Sequence, residues 1–343
     1  MNQILIRADG AKSLGMGHLN RCYLLAHYLQ NKYNVKVMLL TKDNIATRSF
    51  LSNKRQSIET IYLKSQCSHQ DEFDVIYDFI HNKNTTLLLL DLLEVETESS
   101  YLKIFERIDI PICVISDDSH YHEFPVSLII NGNPNQLPDS YSKLKERYLI
   151  GPKYFIMDEW YSKPIKKHKN SSNVLVSLGG SDHNDILFIV LKSLIRSNYV
   201  DKIVVISSKS TGYIDRLEKL AQDIKSIEIE LHFDVESLSS FWNTCGLAIT
   251  AGGNTLFERI ASGVPGATVC QLPRQMEIAN SFENLNVNVN FGFGPSLSED
   301  KLCILINNFL KNDRCHSLQR KLSKDIVPGN GLKLCSQQIV KLI

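Results

Sequence analysis

Short runs of consecutive apolar residues alternate along the whole chain with segments in which apolar positions recur every three or four residues. In the first half the runs fall at 4–8, 35–40, 87–90, 112–115 and 128–130. In the second half they fall at 173–178, 202–206, 227–232, 247–250 and 267–270. Runs that are short and apolar on both faces predict parallel strands covered on each side by helices. After the first run, Leu19, Cys22, Tyr23, Ala26 and Leu29 stand at helical spacing. Each half therefore predicts a doubly wound, Rossmann-like α/β domain. The expected boundary is Gly151-Pro152, with a polar segment at 163–172 just beyond it, giving domains 1–150 and 151–343. Two such domains imply a central cleft between them, where a ligand is expected.

Composition narrows the class. The 343 residues are 43% hydrophobic and 22% charged, enough to bury two cores. Lys+Arg 38 against Asp+Glu 37 leaves a net charge of +1, which offers nucleic acid no bulk attraction. The eight cysteines (22, 67, 113, 245, 270, 303, 315 and 335) include no C-x-x-C pair, and several lie in apolar runs. That pattern predicts reduced, mostly buried thiols and no zinc site. The chain starts directly in a strand, and no apolar run is long enough to span a bilayer. A cytoplasmic monomer without stable membrane insertion is expected.

Three constellations carry chemistry. Gly15-Met16-Gly17-His18-x-x-Arg21 lies where the first strand turns into the first helix. There the positive helix end is expected to keep His18 neutral, as either a general base or a plain helix cap. Gly179-Gly180-Ser181-Asp182 follows a strand directly; its backbone N–H groups and the Ser181 hydroxyl suit a diphosphate, and Ser181 or Asp182 equally suits an N-cap. No G-K-[ST] follows, so this is not a Walker motif. In the stretch 249–275, Gly252-Gly253-Asn254 ends a strand and opens an amphipathic helix that Gly263 and Pro265 terminate. Thr255 to Glu258 matches a capping box, while the Glu258 carboxylate also suits two ribose hydroxyls. Gln275, after the next strand, contacts either a ligand or the loop backbone. Asp117-Asp118 reads as a strand-end turn rather than a metal site, and no metal or cofactor is expected.

On these residues the chain resembles the GT-B fold nucleotide-sugar enzymes. Within them it is similar to the UDP-sugar hydrolases of the pseudaminic-acid pathway and the related spore-coat polysaccharide proteins. The resemblance covers nearly the whole chain: Arg7-Ala8-Asp9, Gly15-x-Gly17-His18-x-x-Arg21-Cys22, Leu149-x-Gly151-Pro152-Lys153-Tyr154, Val176 to Asp182, and Ala251-Gly252-Gly253 through Glu258 to Gln275. The second half is also similar to the lipid II glycosyltransferase. Where such enzymes commonly carry Asp-Ser-Tyr this chain has Asp91-Leu92-Leu93, and Asn254 stands where Ser or Thr is usual.

The resemblance implies hydrolysis of UDP-2,4-diacetamido-2,4,6-trideoxy-β-L-altropyranose to UDP and the free sugar, with inversion at the anomeric carbon. It gives His18 the water, with Gly15, Gly17 and Arg21 beside it as substrate-binding residues. Gly179, Gly180, Ser181, Gly252, Gly253, Asn254, Glu258 and Gln275 hold the UDP. Two other readings remain: a GT-B glycosyltransferase with a sugar or lipid acceptor in place of water, and a catalytically silent nucleotide-sugar sensor.

Overall fold

The computed structural model describes residues 2–11, 15–54, 56–92, 101, 103–117, 126–135, 148–164, 172–179, 185–197, 199–209 and 212–343. They form two compact units. The first comprises residues 1–159 and 330–343, and the second comprises residues 160–329.

In the first unit seven parallel strands are ordered β3-β2-β1-β4-β5-β6-β7. They are β1 (Gln3–Ala8), β2 (Lys36–Lys42), β3 (Glu59–Leu63), β4 (Thr85–Asp91), β5 (Ile112–Ile115), β6 (Leu128–Asn131) and β7 (Tyr148–Ile150). Helices α1 (Gly17–Tyr33), α2 (Ile45–Ser52) and α3 (His69–Asn82) lie between the first four. Alternate strand residues serve two separate cores, which is why the runs are apolar throughout. Ile4, Ile6, Val37, Leu39, Leu87 and Leu89 pack with Leu19, Leu25 and Leu29 of α1. Leu5, Met38, Leu40, Leu88 and Leu90 pack with Phe73, Ile76 and Ile80 of α3.

The second unit repeats the plan with six parallel strands ordered β10-β9-β8-β11-β12-β13. These are β8 (Asn173–Ser177), β9 (Lys202–Ser207), β10 (Glu228–Phe233), β11 (Leu247–Thr250), β12 (Gly266–Cys270) and β13 (Val289–Phe293). The helices are α4 (Ile186–Ile195), α5 (Ile214–Asp223), α6 (Asn254–Ala261), α7 (Arg274–Asn284), α8 (Glu299–Leu310) and α9 (Asp313–Ile326). The strands missed by the apolar runs, β3, β7 and β13, are sheet edges. Edge strands are only part buried, so their patterns are broken.

The division differs from the expected one at the C-terminus. The last helix, α10 (Gly331–Val340), packs Leu332, Cys335 and Ile339 into the core of α1 and β1. Its start presses so closely on 154–155 that a Cβ on Gly331 would overlap the Phe155 carbonyl. The Cys335 thiol donates to the Tyr154 carbonyl at 3.3 Å. Residues 151–159 and the last helix thus belong with the first unit, which hydrophobic spacing could not show because any α/β core accepts the same amphipathic face.

Candidate active site

In the first unit the polar residues gather at the carboxyl ends of β1, β4 and β5, where open parallel sheets bind ligands. Gly15 adopts φ +81, a left-handed conformation that favours glycine, and pairs its backbone with Ala11. This turn delivers Gly17 as the first residue of α1 and His18 as the second. A run of four leucines in β4 ends in Asp91, whose side chain is fully buried.

The Asp91 carboxylate receives four donors, two on each oxygen. Oδ1 accepts from His18 Nδ1 at 2.7 Å and from Arg21 Nη2 at 2.6 Å. Oδ2 accepts from Arg21 Nε at 2.6 Å and, more weakly, from the Cys22 thiol at 3.3 Å. Arg21 Nη1 continues to Asp117 Oδ1 at 2.7 Å. Burial disfavours the Asp91 charge, but Arg21 and His18 outweigh it and hold the carboxyl well below its usual range. Asp91 is therefore an acceptor only, and the proton in the His18 contact belongs to Nδ1. The 3.1 Å separation of His18 Nδ1 from Arg21 Nη2 is that of two donors converging on one oxygen. Nε2 carries the lone pair, the arrangement of an oriented general base.

The helix end was expected to disfavour the protonated form of His18, but the shift runs the other way. Burial lowers its pKa, yet the Asp91 charge and hydrogen bond prevail and raise it above the ordinary value. An ion-pair partner at contact distance outweighs a helix end. Arg21 is buried, and its Nε, Nη1 and Nη2 donate to Asp91 and Asp117.

The Arg7-Ala8-Asp9 signature forms a second buried network. Arg7 donates from Nε to Glu72 at 2.9 Å and from Nη2 to Asp9 at 2.8 Å, while the Tyr101 hydroxyl donates to Glu72. The Lys42 backbone N–H caps Asp9 at 2.8 Å. These charges fasten β1 to α3 and to the end of β2.

In the second unit Gly179, two residues past the end of β8, has φ +88, which favours glycine. Gly180 and Ser181 lie outside the described residues, as do Leu93 and Asp118. After β11, Gly253 occupies the N-cap position of α6 without a side-chain cap, and exposed Asn254 is the first helical residue. Thr255 is thus inside the helix, so the expected capping box does not form; Glu258 sits one turn along from Asn254. Gly252 meets α7 so closely that a Cβ would lie 2.8 Å from Gln275 Cβ. Gln275 Oε1 accepts the Gln271 backbone N–H at 2.8 Å, so this side chain serves the loop backbone. The structure brings Gly252, Gly253 and Gln275 together and, in the other unit, Gly15, Gly17, His18 and Arg21.

Sequence reasoning passed over two residues. Asp91 was visible as a carboxylate closing an apolar strand. Arg259, wholly buried on α6, had no distinguishing signal. It donates to the Val264 and Val287 carbonyls at 3.0 and 3.2 Å and to Asn288 Oδ1 at 2.8 Å. Burial pulls its pKa down to about 9. Among the described residues no helix is long and apolar enough to cross a membrane, and no three His, Cys, Asp or Glu side chains gather as metal ligands.

No family model matches the sequence. The chain is 25% identical over 337 residues to the spore coat polysaccharide biosynthesis protein SpsG of Bacillus subtilis, covering 95% of this chain and 94% of that protein. It is also 25% identical over 290 residues to an uncharacterized protein of Methanocaldococcus jannaschii, matching 82% of this chain but only 58% of the relative's length. Among solved structures it superposes on Acinetobacter baumannii MurG with TM-score 0.73 at 12% identity, covering 99% and 100% of the two chains. It superposes on Phytolacca americana UGT2, complexed with UDP-2-fluoroglucose and pterostilbene, with TM-score 0.69 at 14% identity over the whole of both chains. The two doubly wound parallel sheets of seven and six strands are those of the GT-B glycosyltransferase fold, and over most of its length the chain is similar to a spore coat polysaccharide biosynthesis protein.

Proposed function

We propose that this protein hydrolyses a UDP-linked diacetamido-trideoxy sugar to UDP and the free sugar, in the synthesis of a surface glycan. The observation that carries the reading is the 2.7 Å contact of His18 Nδ1 with buried Asp91, which leaves Nε2 as a base. In the step, Nε2 takes a proton from water as the water oxygen bonds to the anomeric carbon. The bond from that carbon to the diphosphate oxygen breaks, and its electron pair leaves with UDP. Attack opposite the leaving group inverts the centre. The nucleotide is assigned to the Gly179 turn and the start of α6, with Glu258 accepting from the ribose hydroxyls. The identity of the sugar rests on the sequence resemblance.

The transferase reading uses the same base on an acceptor hydroxyl, and it is favoured by the fold relatives, MurG and UGT2. Incubating the protein with UDP-linked diacetamido sugars, with and without candidate acceptors, and following UDP by NMR separates the two. Acceptor-free release that disappears in His18→Ala supports hydrolysis. Release only with an acceptor replaces water by that acceptor. Binding without release in either case leaves a sensor, and equal release by His18→Ala removes the base.

A further inference from the structure

Asp117 follows β5 and is the outermost member of the His18 cluster, with its side chain 38% exposed against 9% for Arg21 and none for Asp91. Its backbone is held in place: the Asp117 carbonyl accepts from Asn133 Nδ2 at 2.7 Å, and Asn133 N–H in turn donates to Asn131 Oδ1 at 3.0 Å at the end of β6. A partly exposed ion pair contributes little to folding. Charge balance gives the pair a different consequence.

The charged and titratable groups facing His18 and Arg21 among the described residues are Asp91 from β4, Cys22 from α1 and Asp117 after β5. The thiol is neutral, because burial and the Asp91 charge push it well up. With neutral His18, the cluster of Arg21, Asp91 and Asp117 carries one net negative charge. When His18 takes a proton the cluster becomes neutral. Without the Asp117 charge, Arg21 would already cancel Asp91, and the protonated cluster would hold an uncompensated buried positive charge, which is costly.

We propose that Asp117 is a positioning residue for the His18 base: by neutralising Arg21 it leaves the Asp91 charge available to the imidazolium that forms as the nucleophile loses its proton. The inference rests on the base role assigned to His18, but its test needs no substrate. The midpoint of His18 protonation is followed by NMR of the imidazole C–H signals, assigned with His18→Gln, in the wild type, Asp117→Asn and Asp117→Glu. Asp117→Asn keeps an oxygen for Arg21 Nη1 and removes only the charge, so the midpoint falls by about one pH unit. Asp117→Glu restores the charge and returns the midpoint toward the wild-type value. An unmoved midpoint in Asp117→Asn overturns the proposal, as does a Glu variant that falls as far as Asn. Should Asp117→Asn not fold, the Glu variant decides against a folded Asp117→Ser, which must show the lowered midpoint. If the titration moves as expected while no form of the protein releases UDP, the charge relay stands and the hydrolase reading alone fails.

Discussion

Nδ1 of His18 and Oδ1 of Asp91, separated by 73 positions in the chain, meet at 2.7 Å. The contact joins the second residue of α1 to the last residue of β4, so neighbouring strands of one sheet set the geometry of the proposed base. Orientation and charge come from the same carboxylate, and changing it separates the two.

Asp91→Asn retains an oxygen at the contact but loses the charge that supports the imidazolium. UDP release is expected to fall by about 100-fold or more in kcat, with KM changed less. Removing one partner of a buried ion pair also leaves Arg21 undercompensated, so stability falls by about 3–5 kcal/mol. Steady-state kinetics together with urea denaturation checks both. A variant of wild-type kcat would remove Asp91 from the reaction.

The direction of the His18 shift sets a pH dependence. A base must be neutral to act, so kcat/KM rises with pH through an acid limb whose midpoint lies above the ordinary histidine value of about 6.5. Stability runs the other way. Because the folded-state pKa is raised, the His18 contribution is fully present below about pH 6.5 and is lost as pH rises through the folded value. For Asp91 the folded pKa is depressed, so its contribution is present above the ordinary carboxylate value of about 3.9 and is lost as pH falls toward the folded value. Rate profiles and melting curves of the wild type and His18→Gln across this range test the signs. An acid limb below about 6.5 would contradict them.

At the proposed nucleotide elements, Glu258→Gln is expected to weaken UDP binding by about 10- to 100-fold through loss of charge-assisted hydrogen bonds. Gly252→Ala weakens binding by a different route, because the added Cβ must push α7 away from the start of α6. Titration calorimetry and melting separate the cases: the alanine variant loses both affinity and about 1–3 kcal/mol of stability. Undiminished UDP affinity in Glu258→Gln would take the ribose role from this residue.

Arg259→Ala should be the costly change on the same helix. It leaves a void and strips donors from the Val264 and Val287 carbonyls and from Asn288, a loss of about 3 kcal/mol or more. The loss appears in denaturant unfolding. A neutral result would show that the buried guanidinium is dispensable.

What the sequence determined by itself is local and repetitive. Continuous apolar runs at strand length specified two parallel sheets, because a strand covered on both faces has no polar side to show. The glycines of the Gly15 and Gly179 turns were legible because left-handed backbone excludes most other residues. His18 stood out by its place at a helix start. Its partner, the direction of its pKa shift and the ion pairs of Arg21 did not, since they depend on strands brought together by 1–4 and 4–5 pairing over tens of residues. The same holds for α10, whose apolar stripe fits any α/β core and whose assignment to the first unit is made by the close approach of Gly331 to Phe155. Periodicity reports how much of an element is buried, whereas a titratable site is set by which distant charges share that burial, and only the tertiary structure decides that.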